Sequence, residues 1–201
     1  KEGAQADVFR ISDIEPWRVI RTRLRVKGLV PGPTEGGKPS GFFTSATGIT
    51  VYKGDAWPEE ARGQIIVADV GSNLVHRKKV TSDGLTIMGE RIDENKEFLA
   101  STDNWFRPVQ MEVGPDGAMY IADMYREVIE HPWSLPHGIK KHINLDSGND
   151  RGRIYRVVPK GFIQQKLQRL NQVPVGDLVK LLEHSNAWHR STAARLLFEK
   201  R

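Results

Sequence analysis

Several polar and charged side chains lie at the ends of predicted strands, where they could bind one small molecule together. They are Asp69, Asn73, Arg107, Asp123, Tyr125 and Arg126. Arginine binds carboxylates through paired hydrogen bonds, and aspartate accepts hydrogen bonds or a proton. The set therefore predicts a site for an anionic or sugar-like molecule, with Asp123 also a candidate catalytic group.

The same residues also have structural explanations. Asp69 and Asp123 can accept hydrogen bonds from backbone N–H groups in the turns that follow them. Arg107 precedes Pro108, which favours an extended backbone, and its side chain can pair with Asp123 to tie two strands together. The residues alone leave the binding and structural roles open.

His76 is the candidate general base. It lies on a strand predicted over residues 73–80. An imidazole titrates near neutral pH, so it could take a proton from a sugar hydroxyl. The alternative is a packed or hydrogen-bonded histidine within the sheet.

Two segments contain candidate metal ligands. Asp146 and Asp150 enclose an oxygen-rich stretch that could bind Ca²⁺, but it lacks the terminal glutamate of a calcium loop. A turn followed by a cap is the alternative. His131, His137 and His142 are not four residues apart, as zinc-binding pairs on a helix are, so they do not predict a zinc site.

A repeated strand–turn–strand pattern would position these residues. Residues 106–125 alternate as one strand, turn at 114–117 and continue as a second strand that ends at Asp123. The Gly-x-apolar-apolar-apolar-Ala-Asp pattern of 117–123 also occurs at 63–69. Such repeats are typical of β-propeller blades, and two unrelated hairpins are the alternative. Two blades would bring Asp69, Arg107 and Asp123 to one rim.

The remaining residues predict further strands, loops and a helical end. We predict strands at 6–12, 46–53, 65–68, 73–80, 85–91 and 152–158, and a strand or extended segment at 14–26. Residues 28–41 are rich in glycine and proline and predict a loop. The long insertion at 126–150 predicts a lid over the rim. Helical periodicity predicts helices at 163–170, at 177–183 with Asp177 as cap, and from Ser185 or Asn186 to Lys200.

Composition excludes several classes of function. The 201 residues include 30 Lys and Arg interspersed with 25 Asp and Glu, so the net charge of +5 does not predict nucleic-acid binding. The absence of cysteine excludes disulfides, cysteine-bound zinc and a c-type haem within these residues. No apolar run reaches the ~18–20 residues of a transmembrane segment.

Seven stretches of the sequence together carry a family resemblance. They are DVFRI at 7–11, EPWRVIRTRLRVKGLVPGP at 15–33, FFTSATGITVYKGDAWPEE at 42–60, DVGSNLVHRKKV at 69–80, KEFLASTDNWFRPVQMEVGPDGAMYIADMYREVIEHP at 96–132, DRGRIYRVVPK at 150–160 and LLEHSNAWHRSTAARLL at 181–197. Together these stretches resemble the membrane-bound dehydrogenases of planctomycete-type bacteria.

The resemblance implies a mainly β fold. A partial NHL- or quinoprotein-like β-propeller would cover residues 1–160, with about two blades and the closing strand of another. A short HEAT-like helical repeat would cover 161–201. The resemblance also implies an exported protein, periplasmic or membrane-associated, whose partners are the remaining blades and a cytochrome domain.

Two functions are compatible with these expectations. The first is a fragment of a quinoprotein-type sugar or alcohol dehydrogenase, in which Arg107 clamps the carboxylates of pyrroloquinoline quinone (PQQ) and oxygen ligands hold Ca²⁺. The second is a non-catalytic scaffold that binds a protein or a polysaccharide through a large surface. For the scaffold, Trp105, Tyr125 and Trp133 are the candidate exposed aromatic residues.

Overall fold

The computed structural model describes residues 6–164 and 166–200, which form two antiparallel β-sheets and four α-helices. The helices are α1 (Pro16–Val26), α2 (His137–Lys140), α3 (Val175–Lys180) and α4 (Ala187–Glu199). The strands are β1 (Ala46–Val51), β2 (Ile65–Asp69), β3 (Leu74–Asp83), β4 (Thr86–Arg91), β5 (Leu99–Ala100), β6 (Pro108–Val113), β7 (Met119–Asp123) and β8 (Arg153–Val157). The strands predicted between residues 46 and 91, and the hairpin with its outer strand at 152–158, are confirmed to within a few residues.

The first sheet is a meander in which β1, β2, β3 and β4 pair in chain order. β5 pairs with the first two residues of β3, beyond the part of β3 that pairs with β4. Ile66, Ala68 and Val75 are buried on one face of this sheet, because alternate residues of a strand share a face.

The second sheet has the order β6-β7-β8, and the predicted turn connects its first two strands. Asp116 accepts a hydrogen bond from the Ala118 amide at 3.1 Å, and Gly117 takes the positive φ of 74° that the turn requires. The insertion separates β7 from β8.

The two sheets pack face to face through one apolar core. Met111, Val113, Met119 and Ile121 of the second sheet are buried against the apolar face of the first. Their alternation along β6 and β7 is the period-two pattern of the sequence, which explains why these strands could be predicted.

The first strands of the two sheets lie side by side. The Thr47 and Thr50 hydroxyls of β1 donate to the Val109 and Met111 carbonyls of β6, at 3.1 and 2.7 Å. Gly48 allows this approach, because a Cβ built there would lie 2.8 Å from the Val109 carbonyl oxygen. The repeat units are therefore adjacent and in matching orientation.

The segment at 14–26, predicted to be extended, is the helix α1. Pro16 at its first turn has the φ that a helix needs. The buried stripe of α1 contains Arg18, Arg21 and Arg25, which have helical spacing. The prediction was wrong because arginine was counted as polar, so basic and apolar residues gave the alternation of a strand.

Residues 6–12 do not form the predicted strand. Only one bridge, between Asp7 and Phe42, joins this segment to the rest of the chain by strand-like pairing. The side chains of Arg10 and Ser12 instead donate hydrogen bonds to the side-chain oxygens of Asn104 and Asn73 respectively.

The helical end is confirmed in part. Asn186 caps α4 by accepting a hydrogen bond from the Trp188 amide at 2.9 Å, and Ala193 and Leu196 are buried as predicted. Pro174, and not Asp177, precedes α3. The helix predicted at 163–170 is wrong for the described residues of that range, where only Leu170 enters a 3-10 turn; residue 165 lies outside them. Within the described residues, no helix is long and apolar enough to span a lipid bilayer.

Candidate functional site

The two repeated aspartates occupy equivalent positions. Asp69 Oδ1 accepts hydrogen bonds from the Ser45 and Gly71 amides, at 2.9 and 3.2 Å. Asp123 Oδ1 accepts from the Arg107 and Tyr125 amides, at 2.7 and 2.8 Å. In each sheet the carboxylate therefore joins the start of the first strand to the turn after the second strand.

The second carboxylate oxygens differ between the two sites. Asp69 Oδ2 accepts a hydrogen bond from the Thr44 amide at 3.1 Å. Asp123 Oδ2 is buried and has no hydrogen-bond partner among the described residues. Both aspartates are buried, and their contacts agree with the structural explanation that the sequence left open.

Arg107 is fully buried, and its ion-pair partner is Glu15. Its Nη2 lies 3.0 Å from Glu15 Oε1. The guanidinium also donates to the carbonyl oxygens of Val70, Arg126 and Glu127, at distances of 3.1, 2.8 and 2.7 Å respectively. The predicted side-chain pair between Arg107 and Asp123 is wrong, because only the Arg107 backbone amide contacts that carboxylate.

Glu15 joins three arginines and is the residue that the sequence analysis missed. Its Oε2 lies 3.0 Å from Arg10 Nη2 and 3.3 Å from Arg18 Nε. Burial acts to raise the pKa of Glu15, but Arg18, Arg10 and Arg107 outweigh it and hold this pKa below its usual value. Arg10 and Arg18 are close to Glu15 in sequence, but Arg107 is 92 positions away, so no local pattern predicts this ion pair.

Asn73 closes the same cluster. It has a positive φ of 58°, and its Nδ2 donates to the carbonyl oxygens of Asn104 and Phe106, at 3.0 and 2.7 Å. Its Oδ1 accepts from the Ser12 hydroxyl at 2.8 Å. The structure thus brings Asp69, Asn73, Arg107 and Asp123 to one end of the two sheets.

His76 lies apart from this cluster, inside the first sheet. It is buried, with Nδ1 2.6 Å from Glu97 Oε2 and its ring against Phe43. Burial acts to raise the pKa of Glu97, but hydrogen bonds from His76, the Phe9 amide and Arg91 lower it below its usual value. These contacts agree with the alternative to a general base, a histidine that is packed and hydrogen-bonded within the sheet.

Tyr125 is a predicted site residue that is only half-buried, and its ring packs against Trp105, which is also half-buried. Its ring centroid lies 5.6 Å from that of Trp105, and the Arg153 guanidinium carbon lies 3.6 Å from the Tyr125 ring centroid. Tyr125 has a φ of 48°, which is rare for a bulky residue. Gly148 helps to hold this backbone, because a Cβ there would lie 2.2 Å from the Tyr125 carbonyl oxygen. We call Trp105 and Tyr125 the aromatic pair.

The insertion is part of the packed structure. Val128, Leu135 and Ile139 are buried against Trp17 of α1. Glu130 Oε2 also lies 2.7 Å from Arg21 Nη1. In this structure the segment predicted as a lid therefore covers α1.

The candidate calcium ligands are not brought together. The Asp146 and Asp150 side chains are 82% and 78% exposed, and their nearest cations are Arg126 at 3.7 Å and Arg151 at 3.6 Å. Arg126 also donates to the Leu145 carbonyl oxygen at 2.5 Å. The described residues contain no group of three or more His, Cys, Asp or Glu side chains placed to hold a metal ion.

This end of the two sheets does not fit PQQ. The Arg107 guanidinium, which was predicted to bind the carboxylates of PQQ, instead binds Glu15 and three backbone carbonyl oxygens. Both oxygens of Asp69 accept backbone N–H groups. Asp123 is buried, and its Oδ1 accepts two backbone N–H groups. In this conformation neither Arg107 nor either aspartate is open toward a quinone.

One comparison with known proteins gives a match. The model of a family described as "Domain of unknown function (DUF7133)" matches residues 1–161. The chain belongs to this family. The match includes all eight strands, both repeated aspartates and the Glu15–Arg107 pair of this DUF7133 chain, and it ends before α3. No curated protein and no solved structure matches.

Proposed function

We propose that this DUF7133 chain is a binding scaffold whose two sheets are neighbouring blades of a β-propeller and whose aromatic pair binds polysaccharide. The propeller is supported by the meander order of each sheet, the adjacent first strands β1 and β6, and the equivalent ties at Asp69 and Asp123. These relations repeat from one sheet to the next, as blades do.

The accessibility of the aromatic pair is the observation that carries the proposal. Among the residues predicted to bind a ligand at this end of the sheets, four are buried and hydrogen-bonded within the fold: Asp69, Asn73, Arg107 and Asp123. Trp105 and Tyr125 are only half-buried. Aromatic faces bind the C–H groups of sugar rings, and Arg153 beside Tyr125 supplies a donor for sugar oxygens. The backbone strain at Tyr125 further supports a functional role there, since strained residues cluster at binding sites.

The dehydrogenase has less support than the scaffold. Proton removal needs a base within hydrogen-bond reach of the substrate. His76 is buried against Glu97, and Asp123 is buried at the turn after β7. A binding scaffold does not need the side chain of His76 or Asp123 to be accessible to a substrate.

Polysaccharide pull-down tests the scaffold. The 201-residue chain would be incubated with a panel of insoluble polysaccharides, and the bound fraction measured for the wild type, Trp105→Ala and Trp133→Ala. We expect Trp105→Ala to weaken retention at least about fivefold, since an aromatic stacking contact is worth about 1–3 kcal/mol. Trp133, which is 90% exposed and is not part of the aromatic pair, is the matched control and should be dispensable.

Two results would contradict the proposal. The first is that no polysaccharide is retained, and the second is that Trp105→Ala and Trp133→Ala behave alike. Calorimetric titration of PQQ with Ca²⁺ is the parallel measurement. Saturable binding of the cofactor would restore the dehydrogenase interpretation.

A further inference from the structure

The helix α1 is packed with its arginines inward and its aliphatic side chains outward. Arg18 and Arg21 are buried, whereas Ile20 is 49% exposed and Leu24 is half-buried. A surface helix of a globular protein normally has the opposite arrangement. The outward apolar face of α1 is therefore a feature that the fold of the β-sheets does not explain.

This face forms one wall of a groove. The groove has a cavity volume of about 650 Å³, and its other wall is the insertion. From α1 and the loop after it, the lining residues are Pro16, Trp17, Ile20, Leu24 and Val30. From the insertion they are Glu127, Pro136, Gly138, Ile139, His142 and Ile143. The lining is thus predominantly apolar.

The charged side chains beside the groove are mostly basic and unpaired. Arg23 on α1 and Lys27, which directly follows the helix, come three residues after Ile20 and Leu24 respectively, which is helical spacing. Lys140 and Lys141 lie between the lining residues Ile139 and His142. Within the described part of the chain, none of these four cations has a side-chain hydrogen bond or an ion pair. Glu127 is the acid in the lining.

From this arrangement we propose that the groove binds an acidic amphipathic helix of a partner protein. The apolar walls accept leucine-like side chains at helical spacing, and the four free cations face acidic residues on the flanks of the partner. Ile20 and Leu24 are four residues apart on α1, so they present the ridge that packs against a second helix. A partner helix of about three turns would match the 11 residues of α1.

A synthetic peptide tests the proposal. The probe is a fluorescein-labelled 15-residue peptide with leucines at helical spacing on one face and glutamates elsewhere, titrated with the full chain by fluorescence anisotropy. We expect saturable binding that weakens at least tenfold in Ile20→Glu and falls with added salt. Leu29→Glu is the matched control: Leu29 is an apolar residue near the same helix, 67% exposed, but it does not line the groove.

Charge and folding controls complete the test. A peptide with lysines in place of the glutamates should bind at least tenfold more weakly. Ile20→Gln, a neutral change at the same exposed position, should also weaken binding while the thermal midpoint stays unchanged.

Three results would overturn the proposal. They are no binding of the acidic peptide, equal binding of the two peptides, and binding that Ile20→Glu leaves intact. Two further results would assign the groove to another occupant: anionic lipid vesicles that retain the wild type but not Ile20→Glu, or a dimer of this chain that Ile20→Glu dissociates.

Discussion

Glu15 and Arg107 form a buried ion pair across 92 positions of sequence, with 3.0 Å between Glu15 Oε1 and Arg107 Nη2. Glu15 immediately precedes α1, and Arg107 immediately precedes β6. The pair therefore fixes the helix to the second sheet, and the bond from Arg107 to the Val70 carbonyl extends the tie to the first sheet.

Glu15→Gln should strongly destabilise the fold. The change leaves three guanidiniums facing a neutral amide, and breaking a buried pair in this way costs about 3–5 kcal/mol. Urea unfolding monitored by tryptophan fluorescence would measure the loss. Glu59→Gln is the control, because the Glu59 side chain is 87% exposed and such surface changes stay within about 0.5 kcal/mol. Equal stability of the two variants would show that the pair contributes nothing.

Acid should remove part of this stabilisation. The pKa values of Glu15, Glu97 and Glu130 are held below their usual value in the folded chain, with burial opposing the shift and neighbouring cations or hydrogen bonds causing it. Their contribution is therefore present above about pH 4.3, the unfolded pKa, and is lost as the pH falls through the folded values. Free energies of unfolding between pH 5 and 3 should decline less steeply in Glu15→Gln than in the wild type.

Asp69→Asn should cost more than Asp123→Asn. Both carboxylate oxygens of Asp69 accept hydrogen bonds from backbone N–H groups. In the asparagine variant the side-chain NH₂ group would therefore face a backbone N–H donor in either orientation. We expect about 2–3 kcal/mol. The asparagine at 123 can direct its NH₂ group to the unpartnered Oδ2 position, and we expect about 1 kcal/mol. The midpoints of urea unfolding should therefore follow this order, and the reverse order would contradict the assignment of the hydrogen bonds.

Asn186→Ala should detach the helical end from the second sheet. The side chain caps α4 and donates to the Gly114 carbonyl oxygen at 2.9 Å, and it is fully buried. Loss of the cap and of a buried partner should cost about 2 kcal/mol. Hydrogen exchange should become faster in α4 and in the turn at 114–117. Ser191→Ala, an exposed change within α4, should leave both segments protected.

His184 should make the stability of this joint depend on pH. Burial lowers the pKa of His184, and the neighbouring His189 and Arg190 act in the same direction against the opposing effect of Asp55. The unfolded chain therefore binds the proton more readily, and stability falls as the pH drops below about 6.5, the unfolded pKa. Thermal midpoints at pH 7.5 and 5.5 should differ less in His184→Gln than in the wild type. The control His137→Gln, at an exposed histidine on α2, should keep the wild-type difference.

The sequence by itself determined the strands and the hairpin turn. Their signals are local: apolar residues alternate along β6 and β7, and Gly114-Pro115-Asp116-Gly117 contains the residues a turn requires. The repeated Gly-to-Asp pattern also predicted the equivalence of Asp69 and Asp123. That equivalence holds because each aspartate is the last residue of its strand, where its carboxylate can accept hydrogen bonds from nearby backbone amides.

Only the tertiary structure decided what the charged residues do. Arg107 lies at the same end of the sheets as Asp69 and Asp123, but whether it clamps a ligand depends on Glu15, whose position follows from the folding of residues 14–26 as a helix. The arginine stripe of α1 is stable inside the protein because Glu15 directly before the helix, Glu35 after it and Glu130 from the insertion pair with it. A partner as distant as Glu130 leaves no periodic signal, since burial of a charge depends on the neighbours that the whole fold supplies.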